Sequence, residues 1–281
     1  MRDESVTTDR LKLVIMSDLH LVPEGEVSNT LDTAARLATA VDSVNTHHAD
    51  ADLCILAGDL ADLGEAAAYD RLRGIIAPLT MDTHLMLGNH DDRRVFLDVF
   101  GPDHADENGH VQKVIDIKGH RVILLDSTEP GMVGGTLCAA RLGWLQARLD
   151  EARDRPVIVV LHHHALPLSM PVDTIILQEG AALLDVLRTH PDVRQVIAGH
   201  VHVTTTGVWK GVPFTTLAGG HYNVSVNLPS HAGPQERLEG PGQYAVVLAD
   251  DDACLVHFEN FLDRHPVIAA ENFGRQRAAR R

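Results

Sequence analysis

Short apolar runs alternate with amphipathic stretches along the first two thirds of the chain. The runs are too short for helices and several are rich in β-branched residues, so they predict buried strands. These strands cover residues 11–16, 53–57, 85–87, 157–161 and 193–198. Between the strands, apolar residues recur at helical spacing, and Ser28 or Asn29 is expected to cap the first helix. The predicted helices cover residues 30–46, 65–76, 93–100, 138–152 and 181–189.

The pattern changes after residue 200, where apolar segments follow one another without helices between them. These segments predict strands over residues 203–208, 212–217, 243–248 and 254–258. Residues 111–117 and 121–126 predict a β-hairpin that turns at Gly119. The simplest architecture for both parts is α/β, a four-layer αββα sandwich of two mixed β-sheets flanked by helices. We expect one domain over 1–281, with a core over 11–260, an inserted loop over 163–180 and a C-terminal extension over 261–281.

Composition narrows the classes of partner. The 281 residues are 44% hydrophobic, and no stretch approaches the roughly 18 consecutive apolar residues that a membrane span needs. A formal net charge of −15 argues against sequence-independent binding to nucleic acid or to an anionic membrane. The three cysteines are widely spaced and form no Cys-x-x-Cys pair, which favours a reducing compartment and excludes a thiolate metal site. The expected location is the cytoplasm.

Polar residues with nitrogen or oxygen donors follow the predicted strands at their carboxyl ends. Parallel strands bring such ends to one edge of a sheet, where α/β proteins place their ligands. Residues two apart in an extended segment point to the same side, so Asp18 with His20, and His200 with His202, are each expected to face one site. The candidates are Asp18, His20, Asp59, Asn89, His90, His162, His200 and His202.

Carboxylates, imidazoles and an amide without sulfur suit ions such as Mn, Fe, Zn or Co. Seven of these candidates, all except His90, could be ligands, which is more than one ion can use with open positions, whereas two ions that share Asp59 would use them naturally. Two ions about 3.5–4 Å apart can activate a hydroxide and clamp both ends of an in-line displacement at phosphorus. Taken singly, Asp59 and Asn89 would be explained as residues that satisfy turns. As an ordered set at successive strand ends, the residues favour a metal centre.

The set also resembles a known family. Its five blocks are similar, in order, to those of the calcineurin-like metallophosphoesterases, and they span residues 11 to about 205. The blocks are Asp18-x-His20, Gly58-Asp59, Gly88-Asn89-His90-Asp91, His162 and Gly199-His200-x-His202. Within the family, Gly-Asn-His-Asp-Asp, the Leu-Asp-Ser at 125–127 and the three histidines at 162–164 are most similar to the bacterial class III cyclic-nucleotide and glycerophosphodiester phosphodiesterases.

The resemblance implies a division of roles among these residues. Asp18, His20 and His202 would hold one metal ion. Asn89, His162 and His200 would hold a second ion, and Asp59 would bridge the two. His90 would stay off the metals, contact the phosphate and assist departure of the leaving alkoxide, a role that suits a side chain that titrates near neutral pH.

The chain departs from the family in one block. Where relatives often have His-His-Pro-Pro, it has His162-His163-His164-Ala165. His163 and His164 either line the rim of a polar pocket or contact substrate, and His221 is expected near the active site. Asp91 and Asp92 are expected to cap the following helix rather than to bind metal.

The resemblance implies a phosphodiesterase that uses two metal ions and a metal-activated hydroxide to hydrolyse small diesters, such as 3′,5′-cyclic nucleotides or glycerophosphodiesters. The alternatives are a broad phosphomonoesterase, because the same clamp serves both reactions, and a non-catalytic scaffold with the same fold. A complete ligand set and the presence of His90 argue against the scaffold. Because relatives are often oligomers, we expect a homo-oligomer, a dimer or larger.

Overall fold

The apolar runs form the centres of two β-sheets in the computed structural model, which describes residues 10–231 and 233–262. The first sheet has five strands, and β1 lies parallel to β2 and antiparallel to β12. Its strands, in spatial order, are β13 (Cys254–Asn260), β12 (Gln243–Ala249), β1 (Leu11–Met16), β2 (Leu53–Ala57) and β3 (Asp82–Met86).

The second sheet has six strands, of which the inner four run parallel and the two edge strands antiparallel. In spatial order they are β4 (Lys113–Ile117), β5 (His120–Leu125), β6 (Val157–Leu161), β7 (Val193–Ala198), β9 (Val212–Thr216) and β8 (Thr205–Trp209). A separate two-stranded ribbon pairs β10 (Asn223–Val224) with β11 (Arg237–Leu238).

Helices cover the outer face of each sheet. The first sheet is covered by α1 (Thr33–His47), α2 (Ala66–Ile76) and α3 (Arg93–Phe100). The second sheet is covered by α4 (Ala139–Asp150) and α5 (Gly180–Leu187). Two 3₁₀ turns, Pro102–His104 and Pro171–Ile175, lie in the connections.

The direction of the side chains alternates along each strand, and this alternation produces the layers of the fold. In β1, Leu13 faces the second sheet and contributes to an apolar cluster with Val160 and Ile197. Val14, its neighbour, packs instead against the helical layer of the first sheet, in the same cluster as Leu37 of α1. Side chains of a strand alternate between its two faces, so each buried strand supplies two cores at once. The predicted four-layer αββα sandwich is confirmed.

Several element boundaries differ from the predicted ones. Helix α1 begins at Thr33, and its cap is Asp32, whose carboxylate accepts a hydrogen bond of 3.0 Å from the Ala35 backbone N–H. Asn29, one of the predicted caps, has a φ of 46° and lies in a turn before the helix. Strand β3 begins at Asp82 rather than Leu85, because it is an edge strand and its first residues are partly exposed and polar.

The region after residue 200 contains more structure than predicted. The short ribbon β10–β11 lies partly within residues 229–242, a stretch rich in proline and glycine. The predicted insertion over 163–180 contains the Pro171–Ile175 turn. The basic end of the chain, residues 275–281, lies outside the described residues. Among the described residues, no helix is both long and apolar enough to cross a membrane.

Candidate metal centre

The loops that leave the strands of both sheets meet at one edge of the sandwich. The loop after β1 is hydrogen-bonded to the loop after β2, with Asp18 N–H donating to the Gly58 carbonyl at 3.0 Å and His20 N–H to the Asp59 carbonyl at 2.9 Å. The loop after β7 joins them, since the His200 N–H donates to the Asp18 carboxylate at 3.0 Å. The side chains predicted from the strand exits therefore converge at this edge.

The backbone at these exits is unusual. Positive φ is uncommon for residues other than glycine, and it clusters at functional sites. The predicted pairs Asp18 with His20 and His200 with His202 are therefore not extended segments, and the expected reason for their convergence was wrong. They converge because each residue turns its backbone into the left-handed region. Five of the candidate ligands have positive φ: Asp18 (54°), His20 (46°), Asp59 (51°), His200 (71°) and His202 (52°).

Two glycines make room for this arrangement. A Cβ atom on Gly88 would lie 2.7 Å from Cε1 of His162 and would also clash with the Asp59 carboxylate. A Cβ atom on Gly199 would lie 2.8 Å from Oδ2 of Asp18. Gly88 was expected to permit a tight turn, but its φ is not positive. The structure requires glycine there because two candidate ligands pack directly against its backbone.

Asp59 lies between two groups of imidazoles. Its Oδ1 is 3.3 Å from Nε2 of His162, and its Oδ2 is 3.5 Å from Nε2 of His20. The backbone N–H of His90 donates to Oδ1 at 2.9 Å and fixes the carboxylate. The side chain is almost fully buried. A carboxylate that offers one oxygen to each side has the geometry of a bridging ligand.

On one side of Asp59, three side chains approach a common point. Nε2 of His20 is 3.3 Å from Nε2 of His202, and Nε2 of His202 is 3.5 Å from Oδ1 of Asp18. All three side chains are buried. Buried nitrogen and oxygen donors that face one another are suited to share a cation.

On the other side, the ring centroids of His162 and His200 lie 5.1 Å apart. Oδ1 of Asn89 and Nε2 of His162 are buried and make no aligned hydrogen bond among the described residues. Buried polar atoms are nearly always paired, so each orphaned atom needs an explanation. Oxygen and nitrogen atoms of these types are metal ligands, and the residues on this side therefore fit a metal ion.

The second nitrogen of each imidazole is held by a fixed partner. Nδ1 of His162 lies 2.9 Å from the Ala57 carbonyl, and Nδ1 of His202 lies 2.7 Å from the Tyr222 carbonyl. Partners of this kind select the tautomer and orient a ligand. They leave Nε2 as the inward nitrogen of both rings.

His20 and His200 follow the same rule with different partners. Nδ1 of His20 lies 2.9 Å from Oδ1 of Asp62, which leaves Nε2 inward. His200 is reversed, since its Nε2 lies 3.1 Å from the Ile175 carbonyl and its Nδ1 is inward. Sequence reasoning missed Asp62, although a carboxylate three residues after Asp59 in the same loop was a usable signal.

Charge in the metal-free centre is unevenly distributed. Burial would raise the pKa of Asp59, but the His162 and His20 imidazoles outweigh it and hold that pKa well below its usual range. Burial would lower the pKa of His162, yet Asp59 opposes this and raises it to about 9. For His200 and His202 burial prevails, so their pKa values are lowered and their rings are neutral. The centre thus combines the neutral imidazoles of His200 and His202 with a carboxylate, Asp59, that stabilises positive charge on His162.

His90 lies at the open side of the centre. Its ring centroid is 4.6 Å from that of His20, and its side chain is 38% exposed. Nδ1 lies 2.6 Å from the Asp62 carbonyl, so the ring is fixed and Nε2 is the nitrogen left for a ligand.

Three further histidines were predicted as weaker substrate contacts. Both nitrogens of His163 are engaged, Nδ1 with Ser127 Oγ at 2.8 Å and Nε2 with the Val133 carbonyl at 3.2 Å, and the residue is buried. This favours a structural role over a substrate contact. His164 is also buried, and burial lowers its pKa to about 4.

His221 lies beside the first group of ligands. Its ring centroid is 4.6 Å from that of His20, and its Nε2 lies 3.3 Å from the Ser28 carbonyl. Its Nδ1 is buried without a hydrogen-bond partner among the described residues. Arg36 of α1 fixes this segment by donating to the Gly220 carbonyl at 2.8 Å and to the His221 carbonyl at 2.7 Å.

Asp91 was expected to cap α3, and that prediction was wrong. Its carboxylate accepts hydrogen bonds from the backbone of the loop after β2, at Leu60 (3.1 Å) and Ala61 (3.0 Å), and from Gly88 (2.8 Å). Tyr69 donates its hydroxyl to the same carboxylate at 3.0 Å. Asp92 is the actual cap, as also predicted, and accepts from the Val95 N–H at 2.9 Å. Asp91 therefore joins two of the loops that carry the candidate ligands.

Two cavities open from the centre. A groove of about 780 Å³ runs past Asn89 and His90, between α3 and the segment 128–131. Leu63 and Leu97 give it an apolar lining, and Arg94 contributes a cation. A smaller cavity of about 400 Å³ is lined by His200, His202 and the Pro171–Ile175 turn, among others. The groove is large enough for a small organic ligand.

Two mixed sheets with flanking helices carry clustered His and Asp side chains that could hold metal ions, and comparison with known proteins identifies the family. Residues 11–204 match the model of the calcineurin-like phosphoesterase family. The chain is 34% identical over 263 residues to a probable cyclic nucleotide phosphodiesterase of Rhodopseudomonas palustris, which covers 92% of this chain and 96% of that protein. The chain therefore belongs to the calcineurin-like phosphoesterase family and is a metallophosphoesterase.

Other matches agree with this assignment. The chain is 29% identical over 233 residues to a probable glycerophosphodiester phosphodiesterase of Arcobacter nitrofigilis, covering 82% of this chain and 85% of that protein. Among solved structures, a dimetal phosphatase from Danio rerio superposes with a TM-score of 0.69 at 17% identity, over 90% of this chain and 97% of that one. The structural likeness shows the shared fold.

Proposed function

We propose that this chain is a binuclear metallophosphodiesterase that hydrolyses small phosphodiesters, such as 3′,5′-cyclic nucleotides or glycerophosphodiesters. The observation that carries the proposal is Asp59, whose two carboxylate oxygens face imidazoles on opposite sides at 3.3 and 3.5 Å. Relatives named for both kinds of diester support the substrate class.

The ligand sets follow from the two groups around Asp59. Asp18, His20 and His202 would hold one ion, and the side chains on the other side would hold the second. Those side chains are Asn89, His162 and His200. Two such ions, when bound, supply charge neutralisation at the phosphate and a lowered pKa for an attacking water. The donor set suits Fe, Mn, Zn or Co, and a distinction among them stays a prediction.

His90 would act at the leaving group. Hydrolysis adds water across one P–O bond, and the departing alkoxide oxygen must gain a proton. The Nδ1–H of His90 is donated to the Asp62 carbonyl at 2.6 Å, which holds the ring and presents Nε2 at the groove. A protonated Nε2 there can contact a phosphate oxygen and then donate to the alkoxide.

The groove beside His90 would hold the organic part of the leaving group. Its lining combines the apolar Leu63 and Leu97 with the Arg94–Asp98 ion pair, which suits a small polar organic group. The net charge of −15 disfavours a long polyanion in the same place. Binding to nucleic acid or membrane is therefore not part of the proposal. A homo-oligomeric state and a cytoplasmic location stay predictions; light scattering after size-exclusion chromatography tests the first.

The function is tested with protein reconstituted with Mn²⁺ or with Fe and Zn. The substrates are bis(p-nitrophenyl) phosphate, p-nitrophenyl phosphate, cyclic AMP and glycerophosphoethanolamine. We expect turnover of the diesters, with kcat/KM for bis(p-nitrophenyl) phosphate at least tenfold above that for the monoester. Asp59→Ala should lose at least about 1000-fold in kcat/KM, because both ions lose a shared ligand.

Two results would contradict the proposal. Preference for the monoester would make the chain a phosphomonoesterase. Absence of turnover with every substrate and metal, in protein shown to bind metal, would favour a non-catalytic role for the fold.

A further inference from the structure

The segment between β6 and α5 approaches the centre through one backbone group. The carbonyl of Ile175, at the end of the Pro171–Ile175 turn, lies 3.1 Å from Nε2 of His200. This contact makes Nε2 the protonated nitrogen of His200, because a carbonyl can only accept. The other nitrogen, Nδ1, is then free to bind a metal ion. The position of this carbonyl therefore decides which nitrogen of His200 faces the centre.

Asp173 holds the turn that carries this carbonyl. Its carboxylate accepts backbone hydrogen bonds from Leu168 at 2.8 Å and from Met170 at 3.3 Å. The same carboxylate lies 3.3 Å from Nε2 of His164, the third residue after the end of β6. Asp173 thus connects the beginning of the turn to the strand exit that also bears His162.

His164 completes the connection. It is buried, and its ring lies 6.1 Å from that of His200 with an interplanar angle of 28°. Its backbone carbonyl also accepts a hydrogen bond of 3.0 Å from Leu177, just beyond the turn. A proline at position 164 would have no side-chain donor that could reach Asp173. The hydrogen bond is thus a feature that this chain's third histidine makes possible.

We propose that Asp173 and His164 are positioning residues for His200. They fix the Pro171–Ile175 turn so that the Ile175 carbonyl accepts the Nε2–H of His200 and Nδ1 points at the second metal position. The inference rests on the proposed metal centre. It adds that the affinity for one of the two ions depends on a loop outside the ligand blocks.

A purely structural role would have a different signature. The loop also packs on a small apolar cluster of Met170, Val172, Val201 and Val203. If Asp173 only supported this packing, its loss would lower stability without changing the two metal sites unequally. Removal of a partner that orients a metal ligand instead weakens metal affinity by about 10- to 100-fold.

The test is a Mn²⁺ titration of metal-free wild type, Asp173→Ala and His164→Phe, followed by electron paramagnetic resonance. Phenylalanine keeps a ring beside His200 but removes the donor to Asp173. We expect each variant to retain one ion with wild-type affinity and to bind the other 10- to 100-fold more weakly. The exchange-coupled signal of the pair should be replaced by that of isolated Mn²⁺. The matched control is Thr174→Ala, in the same turn, whose hydroxyl donates only to the Pro171 carbonyl at 2.9 Å.

The outcomes separate this inference from the proposed function. Variants that bind both ions as wild type does, or that lose both sites equally, overturn the positioning role alone. An equal loss of metal affinity in Thr174→Ala also overturns the positioning role. A wild-type chain that binds fewer than two ions overturns both proposals. A wild-type chain that binds two ions and hydrolyses no ester overturns the proposed function and leaves the positioning role to be decided by the titration.

Circular dichroism of the metal-free variants checks that they are folded. If Asp173→Ala does not fold, the titration of His164→Phe decides.

Discussion

At the scale of single residues, the adjacent carboxylates Asp91 and Asp92 have different roles. Asp92 caps α3 at a partly exposed position, accepting one backbone N–H. Asp91 is turned inward and accepts three backbone N–H groups and the Tyr69 hydroxyl. Burial and the nearby Asp59 carboxylate raise the pKa of Asp91 to about 6. A sequence in which two aspartates precede a helix does not reveal which one points outward.

This difference predicts that mutating the two carboxylates lowers the free energy of unfolding by unequal amounts. Asp91→Ala should lower the free energy of unfolding by about 3–5 kcal/mol, because several donors lose their acceptor, each worth about 1–3 kcal/mol when buried. Asp92→Ala is the matched control and should cost about 1 kcal/mol, as for other helix caps. Urea denaturation of the metal-free proteins measures both. Equal costs for the two variants would contradict the role assigned to Asp91.

The histidines show how far residue types alone can predict a site. Candidate ligands were recognisable because each follows an apolar run, which is a local signal. The choice of inward nitrogen was not recognisable, because it depends on the carbonyls of Ile175 and Tyr222, which lie 25 and 20 residues away from His200 and His202 in the chain. The left-handed backbone at Asp18 and His20 was equally hidden, because positive φ is uncommon outside glycine even for Asp and His, which adopt it more often than most residue types.

At the scale of elements, the groove is formed where three segments meet. The loop after β2 contributes Leu63, helix α3 contributes Leu97, and the segment after β5 contributes Thr128 to Gly131. Arg93 ties the last two together, since it donates to Asp126 at 2.9 Å and to the Thr128 hydroxyl at 2.8 Å. Leu63 is 75% exposed and lines the groove, so an organic group bound there would cover it.

A negative charge introduced into the groove should therefore weaken substrate binding. We expect Leu63→Asp to raise KM for an anionic diester by about 3- to 10-fold, through repulsion and lost apolar contact, and to leave kcat nearly unchanged. Val208→Asp is the control, because Val208 is 69% exposed on β8 and does not line the groove. Steady-state kinetics on bis(p-nitrophenyl) phosphate provide the comparison. If both substitutions change KM equally, the groove is not the binding site of the leaving group.

Elements were predicted best where they are buried on both faces. Strands β1, β2 and β6 are continuous apolar runs, and their predicted bounds agree with the structure. Edge strands such as β3 lack that signal, because one part of them is exposed and polar. The two-residue strands β10 and β11 could not be predicted from pattern, since pairing between distant segments creates them.

At the scale of the whole molecule, two sheets bring five strand exits to one edge. The apolar layer between the sheets fixes their relative position, so loops from both sheets can contribute to one centre. This explains why candidate ligands from Asp18 to His202 are distant in sequence but adjacent in space. The organisation of all 281 residues as one domain stays a prediction, because residues 263–281 lie outside the described part.

The central claim is a two-ion centre bridged by Asp59, and a count of bound metal tests it most directly. Metal-free protein is equilibrated with a small excess of Mn²⁺, passed through a desalting column and analysed for metal per chain. We expect two ions per chain for wild type, about one for Asn89→Ala, and fewer than one for Asp59→Ala. A wild-type chain that retains one ion or none, or an Asp59→Ala chain that retains two, would contradict the account.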